Sequence, residues 1–332
     1  MLKKITTSII VLGLLAITLA FTVGFTNDPD NSNPSVELQA WQSTGQFFEF
    51  NGHRIFFHDN GNTTKDVVLL MHGFPTSSWD WRHQWQALNE DYHLVSLDML
   101  GFGFSDKPHN KEYSIDEQVE LQLALLNKLG INKVNLFVHD YGTYVAQEML
   151  TRANDPTTSH FPISIESLVV LNGPVIPEQL QMRFIQKVFN SPFGWVASTF
   201  TNPFMFTRNF SPVFGPNTQP SPDALKDDWY VISQQNGHRL SHKLIHYYNE
   251  SLQQRERWLK AIRETRIPML SITGLADPVA GDAMVKKYRE LVPSANIIEL
   301  PYIGHYPHIE APALVTTHYK QFISSHSNRD TP

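Results

Sequence analysis

Val134-Asn135-Leu136-Phe137-Val138-His139-Asp140-Tyr141-Gly142 decides how the rest of the chain is read. A largely apolar, strand-forming run passes straight into a tight turn, and a helical stretch follows through Leu150. A buried strand feeding a helix is part of a β-α-β unit. The alternation recurs outward on both sides. Upstream, Val67–Met71 reads as a strand with a helix starting near Ser77 or Ser78, and His93–Leu97 reads as the next strand. Ser114-Ile115-Asp116-Glu117 carries a capping-box pattern and opens a helix that stops at Gly130. Downstream, residues 167–171, 268–272 and 296–300 supply further strands, the last two each followed by a helix. Ahead of them all, Asn51-Gly52 sits between residues 47–50 and 54–57 as a hairpin turn. Such alternation predicts an α/β domain with a mostly parallel sheet and helices on both faces.

Residues 174–266 break the rhythm. They hold no clear strand but many aromatics and repeated prolines, and the stretch is too long for a loop. It is expected to form a helical cap inserted into the α/β body, dividing that body into 41–173 and 267–326, with 327–332 as a tail. Its aromatic richness suits the lining of a pocket.

The whole chain has 332 residues, 41% hydrophobic and 12% aromatic, enough to bury a sizeable core. Lys and Arg number 26 against 32 Asp and Glu, a net charge of −6. With no cluster of basic residues, nucleic acid is excluded as a partner. The absence of cysteine rules out disulfides, thiol nucleophiles and thiolate metal sites. At the N-terminus, Lys3 and Lys4 precede an uncharged run over residues 5–25, followed by a polar stretch. The segment 1–26 is expected to be an uncleaved signal-anchor, with 27–40 as a linker. Twenty-one residues at about 1.5 Å each just span a hydrocarbon core of about 30 Å. The basic start then places the catalytic domain on the non-cytoplasmic side of a membrane. A cleaved signal, giving a secreted or periplasmic protein, is the alternative.

Three positions carry the chemistry, each directly after a strand. His139-Asp140-Tyr141-Gly142 has the strand–turn–helix context of a nucleophile elbow, with Asp140 in the place where serine is common. Gly274-Leu275-Ala276-Asp277-Pro278 follows the strand that leaves the cap, and Gly304-His305-Tyr306-Pro307 follows the last strand. Asp140, Asp277 and His305 then stand in the order nucleophile, acid, histidine that the α/β-hydrolase fold requires. His308 is the rival histidine, but its place at a helix start suits capping or packing. After the first buried strand, His72-Gly73-Phe74-Pro75 occupies the loop that supplies one backbone N–H of an oxyanion hole. The residue after the nucleophile supplies the other, so the expected donors are Phe74 and Tyr141. Pro75 suggests a fixed turn, open to a cis bond.

The sequence resembles the α/β-hydrolase superfamily, on the epoxide hydrolase and haloalkane dehalogenase branch. The matching stretches are Trp41-x-Ser43-x-Gly45-x-Phe47-Phe48, His72 to Ser78 with Asp80-Trp81, and Leu100 to Pro108. They continue in His139-Asp140-Tyr141-Gly142, Ser211 to Pro216 and His305-Tyr306-Pro307, and so reach the cap. The resemblance implies an α/β-hydrolase fold with an eight-stranded type of sheet and an aspartate nucleophile. Its product is a covalent alkyl ester, hydrolysed by a water that His305 and Asp277 activate. It also implies substrate-binding roles for Trp81 and Tyr248. Tyr247, in Leu244-Ile245-His246-Tyr247-Tyr248-Asn249, resembles the cap tyrosine with which epoxide hydrolases protonate the opening oxygen. Tyr248 is the fallback.

Residue chemistry narrows the reaction. A carboxylate attacking an ester would give a mixed anhydride, whereas attack on an sp³ carbon gives an ester that water can cleave. Dehalogenases of this branch hold the halide with a Trp after the nucleophile and often an Asn after His-Gly; here Tyr141 and Phe74 stand there. His-Gly-Phe-Pro is common in epoxide hydrolases. The reading therefore favours hydrolysis of a small apolar epoxide. Haloalkane-type C–X hydrolysis is the alternative enzyme, and a membrane-anchored non-catalytic protein the alternative outside enzymes. No metal or organic cofactor is implied, since the protein supplies nucleophile, base and oxyanion donors.

Overall fold

A computed structural model describes residues 33–155 and 161–326. The expected membrane segment and residues 27–32 of its linker lie outside these residues; the rest of the expected linker is not extended chain throughout, since a helix, Val36–Thr44, begins within it. Among the described residues, no helix is long and apolar enough to cross a membrane.

Eight strands form one sheet: β1 Gln46–Phe50, β2 His53–Asp59, β3 Val67–Met71, β4 His93–Leu97, β5 Lys133–His139, β6 Ser164–Leu171, β7 Met269–Gly274 and β8 Ile297–Leu300. Their order is β1-β2-β4-β3-β5-β6-β7-β8. β1, β2 and β4 pair antiparallel, and every pairing from β4 onward to β8 is parallel. The hairpin turns at Asn51 and Gly52, both with positive φ.

Alternation along the strands splits the core in two. Leu69 and Met71 of β3, Leu136 and Val138 of β5, and Leu168 and Val170 of β6 face one side, against the helices Ile115–Lys128, Tyr141–Asn154 and Tyr247–Glu264. Val68, Leu70, Phe137, Val169 and Leu171 face the other, against Trp81, Leu88 and the helix Pro312–His326. Buried on both faces, the parallel strands are near-continuous apolar runs. At about 25 cal/mol per Å² of apolar surface, these two layers supply the main drive to fold.

Between β6 and β7 the chain is helical, from the turn Pro177–Gln179 to the helix Tyr247–Glu264. The cap has its own apolar cluster, built on Phe206, Phe210, Phe214, Leu225 and Trp229. Its seam with the body runs through Tyr306, which stacks on Phe214 at 5.0 Å.

Candidate active site

β3, β5, β6, β7 and β8 all end at the same edge of the sheet, and the loops leaving them build the site. Loops beyond the carboxyl ends of parallel strands are where open α/β sheets hold their ligands. Asp140 follows β5 with φ 44° and ψ −113°. A non-glycine residue rarely takes a positive φ, and holding one there costs on the order of 1–3 kcal/mol. The neighbours enforce it. A Cβ on Gly142 would stand 2.7 Å from the Met71 carbonyl oxygen, and one on Gly73 would stand 2.7 Å from Cβ of Asp140. Only glycine at both places lets the loop after β3 close on the turn after β5. The Phe74–Pro75 bond in that loop is cis.

The Asp140 side chain is buried. Its Oδ1 accepts the Phe74 N–H at 2.8 Å, and its Oδ2 lies 3.5 Å from His305 Nε2. His305 Nδ1 donates to Asp277 Oδ2 at 2.7 Å. Asp277 is fixed in turn by the N–H groups of Val279 at 2.7 Å and Ala280 at 3.0 Å, and by Asn172 Nδ2 at 2.8 Å. The three chemical residues therefore meet in one line, from Asp140 through His305 to Asp277. Burial works against a charge on His305, but Asp277 and Asp140 outweigh it and push the imidazole up to about 10. Burial also opposes the charge on Asp140. His305, His139 and the Phe74 N–H overcome that and hold its carboxyl below the usual range.

Several supports are invisible as motifs. Asn172, at the end of β6 with φ 36°, accepts the Gly274 N–H at 2.8 Å while donating to Asp277. Its only sequence signal is its position directly after a strand. His139 Nε2 donates to the His305 carbonyl at 2.8 Å. The Glu310 carboxylate accepts the N–H groups of Gly304, Tyr306 and Gly215, tying the histidine loop to the cap. His308 is buried, with its ring 4.7 Å from Trp81 and 4.6 Å from His139, so it packs rather than faces Asp277. Asp80, His139 and His308 offer donor atoms within 4.8 Å of one another, the chemistry of a divalent-cation ligand set.

A cavity opens above His305. Phe74 and Tyr306 line it with His305, and Met205, Phe210 and Trp229 of the cap face them. Tyr247 is buried beside this floor. Its ring is 5.8 Å from that of Phe74 and 4.7 Å from that of Tyr141, and its hydroxyl has no hydrogen-bond partner among the described residues. Burial, then the charge of Asp140, pushes its phenol well above the ordinary value.

Two expected substrate-binding residues stand elsewhere. Trp81 ends a 3-10 turn, Ser78–Trp81, that carries its indole beneath the sheet, where it packs on Phe137 at 4.9 Å. It is core. Tyr248 is half-buried between the main core and the cap cluster and, like Tyr247, is not among the residues that line the cavity. Cavity walls at Phe210, Trp229 and Tyr306 take the place assigned to them.

The strand order, the elbow and the acid–histidine pair define an α/β hydrolase, and the chain belongs to the alpha/beta hydrolase fold family, whose sequence profile matches residues 66–312. It is 38% identical over 323 residues to the mesoderm-specific transcript homolog protein of Bos taurus, covering 94% of this chain and 95% of that protein. Among solved structures, haloalkane dehalogenase DbeA from Bradyrhizobium elkani has a TM-score of 0.73 at 19% identity, over 85% of this chain and 98% of that one. The Cif epoxide hydrolase from Acinetobacter nosocomialis has a TM-score of 0.70 at 18% identity, over 84% and 88%. At those identities the two structures bear on the fold alone.

Proposed function

We propose that the protein is a hydrolase with an aspartate nucleophile, acting on a small apolar epoxide. The observation that carries this is the Asp140 carboxylate, held by the Phe74 N–H on one oxygen and facing His305 with the other. Oδ2 attacks an sp³ carbon of the epoxide, that carbon's C–O bond breaks, and the departing oxygen takes a proton from Tyr247. The product is an ester on Asp140. Esterification removes one of the two carboxylate charges that hold the His305 pKa up, so the imidazole gives up its proton, which passes through solvent to restore the Tyr247 phenol. Neutral His305 then takes a proton from water, and the hydroxide attacks Cγ of the ester. The new oxyanion forms on Oδ1, against Phe74 and the Tyr141 N–H, as in other oxyanion holes. Collapse frees the diol and regenerates the carboxylate.

The apolar cavity supports an apolar substrate. Hydrolysis of a haloalkane C–X bond is the second reading, favoured by the same nucleophile but lacking side-chain donors for the halide at Phe74 and Tyr141. A non-catalytic role is disfavoured by the intact line Asp140–His305–Asp277. Residues 5–25 hold the chain at a membrane with the catalytic domain on the non-cytoplasmic side.

The test is covalent trapping. With His305→Gln, an epoxide should alkylate the protein without product release, and peptide mapping should place the adduct on Asp140. In one turnover of the wild type in ¹⁸O-water, label should remain in Asp140 and the diol should carry the unlabelled carboxylate oxygen. Label passing directly into the diol would overturn the mechanism. A halide released from a haloalkane panel, with no diol from epoxides, would move the substrate to the second reading.

A further inference from the structure

Outside the catalytic site, one stretch of the cap is unlike the rest. Phe184 is 81% exposed, Phe193 73%, Trp195 60%, Phe200 48% and Phe204 58%. All five lie in the first half of the cap, within twenty-one residues of sequence. Scattered exposed apolar residues need no explanation, but clustered large ones mark an interaction surface. The same elements serve two faces. In the helix Phe184–Phe189, Phe184 is exposed while its neighbour Ile185 lines the cavity; in the helix Pro203–Phe210, Phe204 is exposed while Met205 lines it.

Charge points the same way. No Asp or Glu occurs between Glu178 and Asp223, but Arg183, Lys187 and Arg208 do, in a chain with a net charge of −6. Lys187 and Arg208 are exposed, and neither makes an ion pair among the described residues. The path of the chain adds a third observation. Where it emerges from the N-terminal apolar run, Ser35 is clamped to the cap: its N–H donates to Asp227 Oδ1 at 2.8 Å and its Oγ to Asp227 Oδ2 at 2.5 Å. Asp227 belongs to the helix Pro222–Ser233, which packs against Pro203–Phe210 through Trp229 and Phe206. Ser35, ten residues after that run in sequence, is therefore held on the cap side of the molecule.

We propose that the aromatic face of the cap rests on an anionic lipid bilayer, placing the outer wall of the substrate cavity at the membrane surface. The inference rests on the membrane reading of residues 5–25 and on the cavity as the substrate site. Aromatic rings seat at the headgroup level, and unpaired cations beside them are drawn to anionic lipid. An apolar substrate dissolved in the bilayer then meets the cavity across two short helices and does not cross water.

The absence of cysteine makes the test direct. Trp195→Cys and Phe200→Cys in the full chain carry an environment-sensitive fluorophore, with Leu314→Cys, exposed on the helix Pro312–His326 of the opposite sheet face, as control. In vesicles of phosphatidylcholine with phosphatidylglycerol, the two cap probes should shift to the blue and be quenched by lipids brominated in the acyl chain. Their quenching by aqueous iodide should be several-fold weaker than that of the control. Phosphatidylcholine alone should shield them less. Cap and control probes equally open to iodide, in protein that still sediments with vesicles, would overturn the proposal and leave the anchor standing. Shielding without lipid that grows with protein concentration would also overturn it, in favour of a second copy. A chain that loses residues 1–25 to processing, yet shields both cap probes on added vesicles, would support the surface and end the anchor.

Discussion

Asp277 receives three hydrogen bonds besides that from His305, two from backbone and one from Asn172, all in a buried setting. Across the cavity, Phe206, Phe210, Phe214 and Trp229 hold their places by ring contacts of 4.7 to 5.7 Å. The floor is thus built from directional bonds that fix atoms, and the roof from dispersion and area burial that fix only shape. Hydrogen-bonded groups tolerate little change because an orphaned buried partner costs about 1–3 kcal/mol. Aromatic walls admit volume-conserving swaps for less than about 1.5 kcal/mol. The floor therefore sets the reaction, and the roof sets what enters it.

The sharpest way to break this contrast is at Asp277. Asp277→Asn keeps the shape and removes the charge that holds His305 up, and it allows the wrong tautomer. Ester hydrolysis should fall by about 10⁴-fold, the scale of the equivalent change in a serine triad, while alkylation of Asp140 continues. Burst kinetics followed by intact-mass analysis would read both. Equal losses in the two half-reactions would mean that Asp277 holds the floor together without acting through His305.

Tyr247→Phe comes next in size. It deletes a buried hydroxyl that has no partner among the described residues and feels the charge of Asp140, so epoxide opening should slow by about 10²–10⁴-fold. Release of the trapped ester should keep its rate. Tyr248→Phe, by contrast, should leave kcat unchanged, since Tyr248 is only half-buried and it is Tyr247 whose buried phenol feels the charge of Asp140.

A third change compares the two kinds of support directly. Trp81→Ala should cost on the order of 3–5 kcal/mol of stability, as for large core aromatics, and shift Tm without changing the order of preference among substrates. Phe210→Leu should do the opposite, altering KM across a series of epoxides while Tm moves little.

These contrasts explain what could be read in advance. Asp140, Asp277 and His305 each follow a strand within a few residues, so local patterning locates them and the fold's strand order brings them together. Asn172 escapes because its role exists only through partners 102 and 105 residues away, in Gly274 and Asp277. Trp81 misleads because adjacency to the His72 loop in sequence does not fix direction; the 3-10 turn Ser78–Trp81 rotates it under the sheet. Even a correct motif is only half used. Glu117 N–H donates to Ser114 Oγ as a capping box requires, but the Glu117 carboxylate pairs with Lys111 instead of returning to the cap. The cap was legible as an insertion, from length and missing strands. Its ring contacts were not, because aromatic packing has no short sequence signal.

Asp228 offers an effect that shows only as a pH dependence, and the finest test of the roof. It lies buried in the cap helix Pro222–Ser233, and burial, with the neighbouring charge of Asp227, raises its carboxyl to about 7 against the pull of Arg82. Asp80, also buried, faces it from the floor and is itself raised well above the ordinary carboxylate value by burial and by Asp228. A raised folded-state pKa means the native state holds this proton after the unfolded chain, with its ordinary value of 3.8, has released it. Stability then falls as pH rises from about 4 to about 7, because the proton is bound only in the native form. Asp228→Asn removes that linkage. The variant should match the wild type near pH 4 and become the more stable of the two above pH 7, read as a Tm difference that opens between those limits. A Tm difference independent of pH would mean that Asp228 is already ionised and paired with Arg82, and that the seam between cap and floor is held by charge after all.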